Sequence, residues 1–174
     1  VVIIIFITLL LPLAIVWLIG GSGEGQSPIE SGTVSVYVSE EDCVKDMDIN
    51  EYLKCVVAAE MPADFEEEAL KAQAVAARTY LYSHIAEKDK GNIAESHNGA
   101  AICTDSTHCQ AYISEDKRRE SWGAGAEENW NKISTAVDET TGQIMTYNDE
   151  IISAVFHSTS SGITESAVDV WGAD

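Results

Sequence analysis

The stretch DINEYLKCVVAAEMPADFEEEALKAQAVAARTY, from Asp48 to Tyr80, decides the fold. Two helical patterns meet in it at Glu60-Met61-Pro62. Asp48 followed by Glu51 has the spacing of a capping box, in which each side chain satisfies a backbone donor at the helix start. At about 100° per residue, Ile49, Leu53, Val56 and Glu60 fall within about 60° of arc, so an otherwise apolar face ends in a carboxyl group. A solvated charge does not belong there. Two readings of Glu60 are open on pattern alone: a general acid set in an apolar groove, or a helix-terminal group turned to water or paired with a structural arginine such as Arg78. The second pattern opens on Glu66, Glu67 and Glu68, which suit the positive end of a helix dipole. It continues through Ala69, Ala72, Ala74, Ala76 and Ala77, which admit a close neighbour, with Leu70, Val75 and Leu81 supplying bulk.

Upstream, Thr33 to Val38 alternates Val34, Val36 and Val38 on one face, the mark of a half-buried strand. Before it, Gly20 to Gly32 (GGSGEGQSPIESG) reads as a flexible tether. Val1 to Ile19 is an uncharged apolar run whose helix would cross about 28 Å, close to the hydrocarbon thickness. It lacks the short core and small-residue cleavage site of a signal peptide. The expectation is a single-pass anchor in the cell membrane over 1–19, a linker over 20–32 and one domain over 33–174, exposed outside the cytoplasm. The chain starts without methionine, and further residues are expected at that end.

Downstream, Gly91 to Tyr112 is irregular and crowds His97, Cys103, His108 and Cys109 together. Thiolate and neutral imidazole are the groups zinc prefers, yet in an oxidising compartment Cys103 and Cys109 could instead form a disulfide. Both readings stay open here. Ser114 to Asn129 reads as a charged stretch leading into a loop, and Glu128 to Thr140 restores helical spacing through Trp130, Ile133 and Val137. Gly142 suits the left-handed position beyond that helix. Strands are expected at Gln143 to Tyr147 and Glu150 to His157, joined as a hairpin at Asn148-Asp149. Ser158 next to His157 does not make a serine nucleophile, since neighbours on a strand point to opposite faces. The net charge of −19 among 174 residues excludes nucleic acid, whose recognition needs a basic footprint.

The run EYLKCVVAAEMPADFEEEALKAQAVAARTY resembles the signature of the stage II sporulation protein D family, whose domain also occurs in amidase enhancers. The resemblance implies a lytic transglycosylase acting on peptidoglycan glycan strands between N-acetylmuramic acid and N-acetylglucosamine, with Glu60, in the family's A-A-E-M-P, as the catalytic acid. It implies substrate contacts from Arg78, from Gln110 and Tyr112 of a Q-x-Y motif, and from Ser158 and Ser160 of an H-S-x-S-G-G loop in which Ser161 here replaces the first glycine. A positive φ at that place would strain Ser161. The C-T-D…H-C pattern is similar to that of clostridial-type members that bind zinc, which implies a structural Zn2+ held by His97, Cys103, His108 and Cys109. Partners implied are the glycan strands, a cell-wall amidase and membrane scaffold proteins of the engulfment machinery. Family domains continue past V-W-G, here Val170-Trp171-Gly172, so the domain is expected to be incomplete at its C-terminal end.

The resulting expectation is an α+β fold: a transmembrane helix, then a single mixed domain with antiparallel strands and two helices framing the catalytic region. Only one strong carboxylate candidate, Glu60, is evident from sequence, where most glycosidases need two. Two other functions are open: a non-catalytic enhancer of an amidase, and a zinc hydrolase. The latter conflicts with a four-ligand site, since a catalytic zinc keeps a coordination position free.

Overall fold

A computed structural model describes residues 32–172. The anchor expected over Val1–Ile19 and the body of the tether lie outside the described residues. Among the described residues no helix is long and apolar enough to cross a membrane.

Valine alternation makes strand β1, Thr33–Val38, with Val34, Val36 and Val38 buried. It is the middle strand of a three-stranded sheet. On one side β2, Cys43–Asp48, runs antiparallel to it in the register Thr33↔Asp48 to Val38↔Cys43. On the other, the short β3, Ile102–Cys103, runs parallel, Val36 facing Ile102 and Tyr37 facing Cys103. The sheet is therefore mixed and not purely antiparallel. β2 escapes the sequence pattern because CVKDMD is mostly exposed and polar: an edge strand held by its ladder, not by burial.

β2 runs directly into helix α1, Ile49–Glu60, capped by Asp48, whose carboxylate accepts from the backbone N–H of Asn50 and Glu51. Only this half of the capping box forms. Glu51 pairs with Lys54 instead, at 2.8 Å. Helix α2, Glu67–Asp89, follows after Pro62. Its alanines do what their size allows: Ala74 and Ala77 are fully buried, so α1 and the later helix α4, Ala126–Glu139, come close on either side. Leu53, Val56, Leu70, Leu81, Ile133 and Val137 fill the centre with no exposed surface. Each such side chain contributes about 1.5–3 kcal/mol by burial, enough for truncation to be felt across the domain.

Between β3 and α4 the charged stretch that leads into the expected loop forms helix α3, Glu115–Trp122. The helix buries none of its residues, so no apolar stripe marks it in the sequence. Acidic residues in its first turn and the Arg119–Glu115 pair at 2.6 Å support it. After α4, Gly142 takes the positive φ expected of it, 77°. The hairpin turn at Asn148-Asp149 is also present, both residues at positive φ as a type I′ turn requires. Its strands are shorter than expected: β4 is Thr146–Tyr147 and β5 is Glu150–Ile151. From Ile152 the chain is irregular until the five-residue helix α5, Ala167–Trp171.

Candidate active site and metal cluster

Glu60 is the last residue of α1 and is half-buried. It does not end up sealed in the core. Its Oε1 accepts a hydrogen bond of 2.7 Å from the backbone N–H of Ala111, and the carboxyl borders a cavity of about 810 Å³. Oε2 has no protein partner among the described residues, which leaves that oxygen for whatever enters the cavity. Tyr80 of α2 borders it too, its phenol held above its ordinary pKa chiefly by burial. Gln110 completes the inner wall. Its side chain is 4% exposed, and neither amide atom has a hydrogen-bond partner. A buried, unpaired amide facing a cavity costs stability unless a ligand satisfies it.

The outer wall is the irregular segment after β5. Val155, Phe156 and Ile163 offer apolar surface, and Thr159, Ser160, Thr164 and Glu165 offer polar groups. Such a mixture suits a sugar, which has both apolar faces and hydroxyl edges. His157 also lines the cavity, whereas Ser158 is exposed and does not. Since 152–157 is not a strand, the alternation argued for His157 and Ser158 does not apply to them. The positive φ of this loop falls on Gly162, at 102°, and not on Ser161, so the serine causes no strain. Glu165 is a second carboxylate on the cavity, unmarked by any periodicity in the sequence.

Two residues expected at the groove lie elsewhere. Arg78 is 1% exposed, and its guanidinium donates to the carbonyls of Val137 (2.9 Å) and Thr140 (2.6 Å) and to Asn50 Oδ1 (3.4 Å). It satisfies the carbonyls that the end of α4 leaves free, and its positive charge suits that negative end. The arginine is a structural cap. Tyr112 stacks on Tyr52 with ring centroids 5.8 Å apart and borders a different cavity, with Met47 and Lys117. Gln110 and Tyr112 are two residues apart but serve different surfaces.

The four soft ligands do converge. All their donor atoms lie within 4.8 Å of one another. His97 Nε2 is 3.2 Å from both His108 Nδ1 and Cys109 Sγ; Cys103 Sγ and Cys109 Sγ stand 3.6 and 3.4 Å from His108 Nδ1. Zinc bonds of about 2.0 Å to nitrogen and 2.3 Å to sulfur give tetrahedron edges of about 3.3–3.8 Å, so the set could hold a metal with little movement. All the cysteines are free thiols, and no Cys103–Cys109 disulfide is formed. Local folding explains the convergence. β3 fixes Cys103 beside β1, with Thr104 N–H bonded to the Tyr37 carbonyl at 3.0 Å. Asp105 then turns the chain: its carboxylate takes the N–H and hydroxyl of Thr107, and its carbonyl takes the N–H of His108 and Cys109. His97 arrives from the other side, carried on a single 3-10 turn, Glu95–His97, that ends in the left-handed Asn98. Burial, then the nearby His108 and His84, hold His97 below its ordinary pKa, which favours the neutral ring a metal needs. Burial pushes the metal-free Cys109 thiol up to about 12.

Cluster and carboxyl are joined by three consecutive residues. Cys109 belongs to the ligand set and borders the cavity, Gln110 lines it, and Ala111 holds Glu60.

The family model described as "Stage II sporulation protein" matches residues 37–147. Stage II sporulation protein D of Bacillus subtilis is 38% identical over 152 residues, 86% of this chain and 43% of that protein. The protein of that name from Bacillus amyloliquefaciens is 38% identical over 146 residues, 84% of this chain and 40% of its own length. The amidase enhancer of Bacillus subtilis is 36% identical over 119 residues, 68% of this chain and 13% of that protein. The chain spans less than half the length of these curated relatives.

Proposed function

The chain belongs to the stage II sporulation protein D family, and from that premise we propose that it is a lytic transglycosylase of peptidoglycan glycan strands with Glu60 as its acid and base. The observation that carries this reading is the Glu60 carboxyl, fixed through Oε1 by the Ala111 N–H and open through Oε2 to a cavity of sugar-compatible lining. With Oε1 engaged by a donor, the proton to be given resides on Oε2. Oε2–H protonates the glycosidic oxygen as the C1–O bond of the N-acetylmuramoyl unit breaks, and the sugar beyond leaves with that proton. The C6 hydroxyl of the same unit then closes on C1, and its proton returns to Glu60. The product is a 1,6-anhydro-N-acetylmuramoyl end, and water takes no part.

Gln110, Tyr80 and Ser160 would hold the strand, the Gln110 amide finding there the partners it lacks in the protein. Zinc fits the ligand set of His97, Cys103, His108 and Cys109. It would neutralise two thiolates and keep the turn at Asp105 folded against β3, and through Gln110 and Ala111 keep the cavity wall and the Glu60 hydrogen bond in place. A four-ligand closed site gives it a structural role. The apolar run Val1–Ile19 supports anchoring in the cell membrane with this domain outside the cytoplasm. Fractionation would find the protein soluble and shortened if that reading is wrong.

Two observations favour other readings. Glu165 on the same cavity would allow hydrolysis by a carboxylate pair, and the likeness to an amidase enhancer would allow a role in stimulating an amidase. Product analysis on purified glycan strands in ¹⁸O-water separates all three. Unlabelled anhydro ends support transglycosylation, and labelled reducing ends mean hydrolysis. The absence of any cleavage, with a partner amidase still stimulated by Glu60→Gln, means enhancement.

A further inference from the structure

Cys103 and Cys109 belong to one ligand set but are held very differently. Cys103 is 1% exposed, and the sheet fixes it from both sides. Tyr37 faces it across the β1–β3 pairing, the Ala101 N–H meets the Ser35 carbonyl at 3.0 Å, and the Thr104 N–H meets the Tyr37 carbonyl at 3.0 Å. Cys109 is partly exposed and borders the cavity of about 810 Å³. From Gln110 the chain joins no strand or helix until α3. The Ala111 N–H goes to the Glu60 carboxyl at 2.7 Å, and the Ile113 N–H reaches the Cys55 carbonyl only at 3.4 Å. Tyr112, stacked on Tyr52, ends the slack. One sulfur is thus anchored to the sheet, and the other rides on two residues whose attachment is the acid itself.

Both thiols are free, and as members of the ligand set their sulfurs stand no more than 4.8 Å apart. A disulfide holds its sulfurs about 2.05 Å apart, so closing one asks for a travel of about 2.7 Å at most. Cys109 makes that movement, since Cys103 is pinned. Gln110 and Ala111 follow it, and a shift of about 1 Å at Ala111 is enough to lose the hydrogen bond to Glu60. The bonded pair also ceases to be a ligand, because zinc takes thiolates. The remaining cysteines stand apart from this chemistry: Cys55 is buried in the core, and Cys43 opens β2 opposite Val38.

We infer that Cys103 and Cys109 form a redox modification site, closed to a disulfide by a small-molecule disulfide oxidant, and that closure releases Glu60 from Ala111. Only its effect on cleavage rests on the role proposed for Glu60. The Cys109 thiolate, on the cavity wall, attacks one sulfur of the oxidant RSSR; a mixed disulfide forms as the oxidant's own S–S bond breaks, and one RS⁻ leaves. The Cys103 thiolate then attacks the Cys109 sulfur and expels the second RS⁻. Two electrons pass from the protein's sulfurs to the oxidant, whose two thiolates take protons from water as RSH. The ligand set is left with two imidazoles and no thiolate charge to hold Zn2+.

The test uses the full chain carrying Cys43→Ser, which removes the other partly exposed thiol, loaded with zinc and titrated with oxidised glutathione. Peptide mapping should find Cys103 joined to Cys109 and Cys55 still free, with one zinc released to a chromogenic chelator for each disulfide formed. Hydrogen exchange at the Ala111 amide should quicken by about tenfold or more. Glycan cleavage should fall by about ten- to a hundredfold, and a dithiol with added zinc should reverse every change. A reaction that stops at a glutathione adduct on Cys109, a disulfide made with Cys55, or zinc retained after the pair has closed overturns the inference. So does closure that leaves Ala111 exchange unchanged, because the pair then has no link to the acid. If closure and faster Ala111 exchange occur while cleavage is unaffected, or if the reduced, zinc-loaded protein cleaves nothing, the redox site stands and the role proposed for Glu60 falls.

Discussion

The two sides of the Glu60 carboxyl are built by different means. Behind it stands a frame of β1, α1, α2 and α4, packed through Val36, Leu53, Val56, Leu70, Leu81, Ile133 and Val137, none of them exposed. In front of it stand the turn from His97 to Tyr112, which reaches the core only through Ala101 and Ile102, and the segment from Ala154 to Glu165, where hydrophobic burial nearly stops: Val155 is 55% exposed and Ile163 82%. The frame is held by the hydrophobic effect and fixes the acid. The wall is held by hydrogen bonds, by its pairing to β1 and by the soft-ligand cluster, and it shapes what the acid meets. A catalytic residue belongs on the rigid side, and substrate-matching groups belong where loops can vary without unfolding the domain.

The largest effect should come from the point where both regions meet. Glu60→Gln keeps the shape and can still accept the Ala111 hydrogen bond through its amide oxygen, but it has no acidic proton to give. Glycan cleavage should fall by about 10²–10⁴-fold, while thermal unfolding of the frame changes by less than about 1 kcal/mol because the residue is not part of the core. A loss of activity accompanied by a large fall in stability would mean that Glu60 holds the frame together, and the comparison would break.

Metal removal should divide the two regions. A chelator, or Cys109→Ser, should lower cleavage by about ten- to a hundredfold, with far-ultraviolet dichroism nearly unchanged because α1, α2 and α4 do not depend on the cluster. Elemental analysis of protein purified without added metal should find zinc. In the metal-free form His97 adds a pH dependence. Its folded pKa lies below the ordinary 6.5, so the unfolded chain binds the proton first. Its contribution to stability is full above about pH 6.5 and is lost as pH falls through the folded value. Stability rising on acidification would contradict that sign. Collapse of helical signal on chelation would show that the cluster supports the frame as well.

How much could be read from the sequence follows the same division. β1, α1, α2 and α4 were legible because a buried face imposes a period, and Glu60 stood out by interrupting one. α3 and β2 were not, because neither buries a regular stripe: one is a polar helix, the other a polar edge strand. The ligand set was legible by residue type, but its closure depends on Asp105 and on β3, whose pairing with β1 spans most of the intervening chain. Glu165 sits in a segment without period. Arg78 and Tyr112 were drawn to the groove by motif, and their neighbours in space, α4 and Tyr52, were invisible from sequence spacing.

Arg78 sharpens the contrast from the frame side. Arg78→Met keeps most of the buried volume and removes the donors to Val137, Thr140 and Asn50. The stranded carbonyls should cost about 3 kcal/mol of stability, with cleavage per folded molecule and the affinity for glycan unchanged. A raised KM at full stability would return Arg78 to the groove.

Gln110 is the mirror case on the wall, with the smallest expected effect. Its amide is buried, and neither of its polar atoms is hydrogen-bonded, so Gln110→Met replaces a group that is paying desolvation with one of similar length that does not. The domain should gain about 1 kcal/mol. Glycan affinity should fall about tenfold, since a lost hydrogen bond to a sugar is worth roughly 1.4 kcal/mol. Opposite signs in stability and binding are the signature of a residue kept for its ligand. If both fall together, Gln110 has a partner within the protein and belongs with Arg78. If neither changes, the cavity wall does not touch the strand at this residue, and its recognition must rest on Ser160 and the segment around it.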